Sequence, residues 1–78
     1  MKRDHGDAHY ETLSVEDKGQ GYVGLELYRV RQSRKDRIAK VLFWDSCGQF
    51  FVETFNAEVP LTVLEELIAE AKATIKIK

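Results

Sequence analysis

The sequence predicts an α+β domain: a curved, four-stranded antiparallel β-meander followed by one C-terminal amphipathic helix packed on the sheet. Three observations carry this. Between Tyr10 and Phe55, four stretches rich in β-branched and aromatic residues are separated by glycine-rich or charged breaks. Pro60 then closes the strand pattern, because proline cannot join a central ladder. From Leu61 onward, apolar residues recur in steps of three and four, the spacing of one helical face. With 78 residues the chain makes one domain, read as 10–78 behind a flexible tail, 1–9, that lacks periodicity.

The elements follow in order. Tyr10 to Asp17 alternates around Leu13 and Val15 and reads as the first strand. The DKGQG that follows reads as a turn, with Gly19 and Gly21 free to take positive φ. Tyr22 to Gln32 is the second strand. Its Val23, Leu25 and Leu27 share one face while Tyr28 and Val30 fall on the other, so a bulge or bend is expected near Leu27. SRKD is a polar loop, Arg37 to Trp44 the third strand and Gln49 to Phe55 the fourth. The helix carries its apolar stripe on Leu61, Leu64, Leu67, Ile68, Ala71 and Ile75. Thr62 and Glu65 have the spacing of a capping box, with Pro60 as an alternative first residue. IKIK at the end either frays or extends as a short strand.

The hairpin VLFWDSCGQFFVETF, Val41 to Phe55, raises the functional question. A loop of Ser46, Cys47 and Gly48 sets Asp45 opposite Gln49 and Trp44 opposite Phe50. One face then holds Ile38, Leu42, Trp44, Phe50 and Val52; the other holds Ala39, Val41, Phe43, Phe51 and Phe55. Both faces are apolar, and one helix covers only one of them. Three outcomes compete: the sheet curls over itself, two copies pack together, or the face is a binding platform. Val41, Phe43, Phe51 and Phe55 are the candidate interface or ligand face. A chain this small is marginal alone, so a homodimer is the expectation, with a protein partner or small apolar ligand as the other occupants.

A net charge of −1 hides an asymmetry. Arg29, Arg31, Arg34, Lys35, Arg37 and Lys40 are opposed within 29–40 only by Asp36, so that segment carries +5 and the remainder −6. These six cations are the candidate anion or nucleic-acid patch, with Tyr22, Tyr28 and Trp44 as surfaces on which single-stranded bases stack if exposed. The acidic remainder opposes a polyanion. Catalysis and metal binding find little support. Cys47 sits beside Asp45, which disfavours a thiolate. His5 and His9 are four apart in DHGDAH, but Gly6 and the polar setting argue against a helical ligand pair. Glu66 and Glu70 fit a solvated helix face. There is no P-loop, G-x-G-x-x-G or G-x-S-x-G motif. No cofactor or metal is expected. A single cysteine, a polar N-terminus and no long apolar run point to a cytoplasmic, non-membrane chain.

The order β-β-β-β-α with a suspected dimer resembles the single-stranded-DNA-binding transcriptional coactivator and Whirly-like proteins. In that likeness VLFWDSCGQFFVETF stands at the curved hairpin and PLTVLEELIAEAK at the dimerising helix. The resemblance covers Tyr22 to Lys76 and is one of architecture, implying that fold and a dimer. It carries over no functional residues. The chain also looks like many small bacterial proteins.

Overall fold

The computed structural model describes residues 1–55 and 57–75, the side chain of His5 excepted. It is an α+β fold of five antiparallel strands and one helix: β1 (Lys2–His5), β2 (Ala8–Asp17), β3 (Tyr22–Arg31), β4 (Arg34–Trp44), β5 (Gln49–Thr54) and α1 (Leu61–Thr74). The strands pair in sequence order, which leaves β1 and β5 as the two edges.

The strand count is the first correction. Part of the stretch read as a tail, Lys2–His5, is β1, hairpinned onto β2 with Arg3 opposite Tyr10. Gly6 at φ 63° makes the tight reversal possible. Arg3 forms an ion pair with Glu66 of α1, and the Met1 amino group donates to Thr12 Oγ1 and Glu70 Oε1, each at 2.6 Å. These polar contacts tie β1 to β2 and α1 in place of an apolar face, so no alternation marks it in the sequence.

The next loop is also shorter than expected. Arg34 to Asp36 belong to β4, and the reversal is a two-residue turn of Gln32 and Ser33, at φ 49° and 67°. Such a turn matches sheet twist but ordinarily recruits glycine or asparagine, so this one is invisible in the sequence. The irregularity expected near Leu27 is present between Leu27 and Tyr28. Its extra residue lies on β4: Leu27 faces Ala39 and Tyr28 faces Arg37, leaving Ile38 unmatched. Ile38 and Ala39 are consecutive yet both buried in the core, as a bulge allows.

α1 lies over β3 and β4. Its buried line is Val63, Leu67 and Ala71, continued by Ile75. That four-residue step meets Leu25, Leu27, Ile38, Ala39, Val41 and Phe43 of the sheet in one core. Leu61 leaves the expected stripe and is 70% exposed. The capping box does not form: Pro60 is the cap residue, with no side-chain hydrogen bond. The end of IKIK, 76–78, lies outside the described residues.

Candidate functional site

The β4–β5 hairpin differs from expectation by one residue. Its loop is Asp45–Gly48, closed by the Gly48 amide donating to the Trp44 carbonyl at 2.8 Å, with Gly48 at φ 65°. Trp44 therefore faces Gln49, Phe43 faces Phe50 and Leu42 faces Phe51. A one-residue slip moves every side chain of β5 to the opposite face. Phe50 joins Phe43 on the helix side, ring centroids 5.0 Å apart. The candidate face of Val41, Phe43, Phe51 and Phe55 is thus divided. Val41 and Phe43 are buried under α1. Phe51 lies on the outer face beside Leu42. Phe55 lies under two cations, with the Arg37 guanidinium 4.5 Å and the Lys40 ammonium 5.7 Å from its ring.

The outer face has two halves. Near the β2–β3 and β4–β5 turns it is apolar: the Tyr22 and Trp44 rings meet in a tilted contact, centroids 4.9 Å apart, and Leu42 lies over Gly24. A Cβ on Gly24 would sit 2.1 Å from the Val41 carbonyl oxygen and 2.6 Å from Leu42 Cδ2, so only glycine admits this packing. Leu42 is 7% exposed although it belongs to the face opposite the helix. Leu42 is thus covered within this half, but Phe51 stays 49% exposed at its rim.

The other half is an ion-pair lattice. Arg37 donates to Glu26 Oε2 at 2.6 Å and Tyr28 to Glu26 Oε1 at 2.9 Å. Lys35 pairs with Glu11 at 2.8 Å and Lys40 with Glu53 at 3.4 Å, and His9 Nδ1 is hydrogen-bonded to Asp4 Oδ1 at 2.9 Å. Partial burial pushes the Glu26 carboxyl up, but the Arg37 and Tyr28 hydrogen bonds outweigh it and hold the group below the usual glutamate range. The Lys35 hydrogen bond lowers Glu11 likewise. The same bond to Glu26 raises the Tyr28 phenol.

The six cations of 29–40 therefore do not form one patch. Lys35, Arg37 and Lys40 occupy the outer face, each closed onto a carboxylate. Arg29, Arg31 and Arg34 occupy the helix side, at the end of the sheet marked by the Gln32–Ser33 turn. Of the residues set aside for chemistry, Cys47 is exposed in its turn with Sγ 3.9 Å from the Trp44 carbonyl oxygen. His5 lies outside the described side chains, so the histidine pair is not placed. No described helix is long and apolar enough to cross a membrane.

Sequence reasoning passed over the edge itself. The two edges of the sheet differ sharply in character. β1 is four residues long, KRDH, polar and charged throughout. β5 is QFFVET, with one charge, Glu53. Five of its six residues are exposed, among them Phe51 and, at 47%, Val52, which lies on the helix side but beyond the helix's cover. The Phe55 amide donates inward to the Ile38 carbonyl at 3.0 Å. Alternation along an antiparallel strand then directs the amides and carbonyls of Phe50, Val52 and Thr54 away from β4, toward the open edge.

No protein-family model, curated protein or solved structure matches this chain.

Proposed function

We propose that this chain is a non-enzymatic homodimeric module that works through protein contacts, with β5 as the seam between copies. The observation that carries the reading is the contrast between the sheet edges. Natural sheets blunt an exposed edge with charge, proline or short length, because unpaired amides and carbonyls template further strands. β1 has that protection, whereas β5 carries a single charge and three large apolar residues, is free of proline and is mostly exposed.

The strand's own sequence favours a second copy as its partner. A two-fold axis through Val52 sets Val52 against Val52 and Phe50 against Thr54 on the helix side, pairing all three outward-facing residues. On the outer face it sets Phe51 opposite Glu53 and diagonal to the other Phe51, within reach of an aromatic ring. No like charges meet, and both half-exposed apolar side chains are covered. The contact is self-complementary, as a two-fold interface requires. A ten-stranded continuous sheet results, in which the two Phe51 side chains are diagonal neighbours on the outer face.

Single-stranded nucleic acid is the weaker reading. Its cations are split between two faces, and three of the six are spent on close carboxylates of the outer face. Light scattering after gel filtration tests the proposal. It predicts about twice the 9.0 kDa chain mass for the protein and a single-chain mass for an edge variant such as Val52→Pro. A single-chain mass for the unaltered protein at tens of micromolar overturns it.

A further inference from the structure

A second feature, independent of the dimer, lies at the opposite end of the sheet. We infer that Arg29, Arg31 and Arg34 form a binding corner for a phosphoryl group carried by a small molecule whose remainder is uncharged. Three observations converge. First, Arg29 is half-buried and makes no ion pair among the described residues, while the other five cations of its segment all do. A guanidinium carries five donors, and no carboxylate among the described residues takes up those of Arg29, which stay open to a ligand from solvent. Second, Arg31 and Arg34 are direct cross-strand partners. Like charges placed so are destabilising; Asp7 at 3.7 Å from Arg31 and Asp36 at 3.1 Å from Arg34 offset this in part, and a bound anion would offset it further. Third, all three arginines line one cleft of about 380 Å³, together with Gln32 and Asp36.

The charges around this corner set its selectivity. Asp36 is held by Arg34 at 3.1 Å, and Asp7, 78% exposed, reaches Arg31 only at 3.7 Å. The cleft is therefore lined by three cations against one carboxylate, and guanidinium forks match phosphate geometry two bonds at a time. A second cleft of about 360 Å³ shares Arg29 and Arg31 and runs on past Tyr10 to Val59 and Pro60. Those residues suit an apolar or aromatic remainder. Asp7 and Glu58 also line that second cleft. They repel further negative charge there, so the corner takes a monoester in preference to a polyphosphate or a nucleic-acid strand. The cavity volumes fit a small phosphorylated molecule.

The test is amide chemical-shift titration of the full chain at low ionic strength, using inorganic phosphate, phenyl phosphate, tripolyphosphate and an oligothymidylate as probes. Saturable shifts are expected along 29–34 and at Glu58 and Val59, with phenyl phosphate the tightest of the four. Arg29→Gln is expected to weaken phenyl phosphate about tenfold or more, the loss of a charge-assisted contact. Arg34→Gln, at a largely exposed position that leaves folding intact, is expected to weaken it in the same direction. Lys35→Gln, on the other face, is expected to leave it unchanged. Absence of saturable binding overturns the inference. So does equal weakening by Lys35→Gln, or tighter binding of the oligothymidylate than of phenyl phosphate.

Discussion

Phe51→Glu is the substitution on which the proposed seam is most exposed to refutation. Phe51 is 49% exposed in the single chain. A phenylalanine presents roughly 200 Å², so about 100 Å² remains to be covered at the seam. At about 25 cal/mol per Å² that is about 2.5 kcal/mol per copy and about 5 kcal/mol per dimer. Ordering costs absorb part of any such gain, so the dissociation constant is expected to rise about a thousandfold, some 4 kcal/mol. The new carboxylate would also face Glu53 of the other copy in the Val52-centred register, whereas Phe51→Lys would face it with opposite charge. Sedimentation equilibrium across a concentration series measures both. The account predicts that Phe51→Glu is monomeric at concentrations where Phe51→Lys retains dimer, with circular dichroism unchanged in each. Leu61→Lys, at an exposed site on α1, is expected to leave the mass unaltered. An unchanged dissociation constant for Phe51→Glu would refute the seam, and equal loss in both Phe51 variants would refute its register.

Three further outcomes follow from the fold. Gly24→Ala is expected to lower the urea midpoint by the equivalent of about 2–4 kcal/mol, because the new Cβ would lie 2.1 Å from the Val41 backbone carbonyl oxygen and the strand must shift to admit it. Replacing Gln32–Ser33 by Asn-Gly is expected to raise the melting temperature, relieving about 1 kcal/mol of backbone strain at two positive-φ positions. Acid stability tests the lattice. The folded chain holds the Glu26 proton less tightly than the unfolded chain does, so its contribution is full above the ordinary glutamate value of about 4.3 and is lost as pH falls through the lowered one. Glu26→Gln is therefore expected to flatten the decline in urea midpoint between about pH 5 and pH 3.

How far the sequence reaches can be followed element by element. The helix and strands β2 to β5 are legible because their signals are strong: the four-residue apolar step around Leu67 and Ala71, and the β-rich runs of β3 and β4. The irregularity near Leu27 is legible too, although the bulged residue is Ile38 on the other strand, which the pattern of β3 alone does not specify. β1 is hidden because its contacts are ionic, Arg3 to Glu66, and leave no alternation. The Gln32–Ser33 turn is hidden because neither residue advertises positive φ. The hairpin register turns on a single choice between a three-residue and a four-residue loop. That choice exchanges Phe50 with Phe51 between faces, so the candidate apolar face was half core and half rim. The +5 segment was legible as charge but not as geometry: alternation and the bulge send Arg29 and Arg31 to one side and Lys35, Arg37 and Lys40 to the other. What marks β5 as a site, an edge with little protection, is implicit in the predicted meander, whose last strand is an edge, and stands out once β1 supplies the contrast.

The most direct test of the seam is amide hydrogen exchange along β5. In a single chain the outward amides of Phe50, Val52 and Thr54 meet only water. The account predicts that these three are protected at high protein concentration to a degree comparable with the inward amides of the same strand, and that protection falls on dilution and in Phe51→Glu. Exchange of all three at the rate of the exposed Asp45–Gly48 loop, at every concentration, would contradict it.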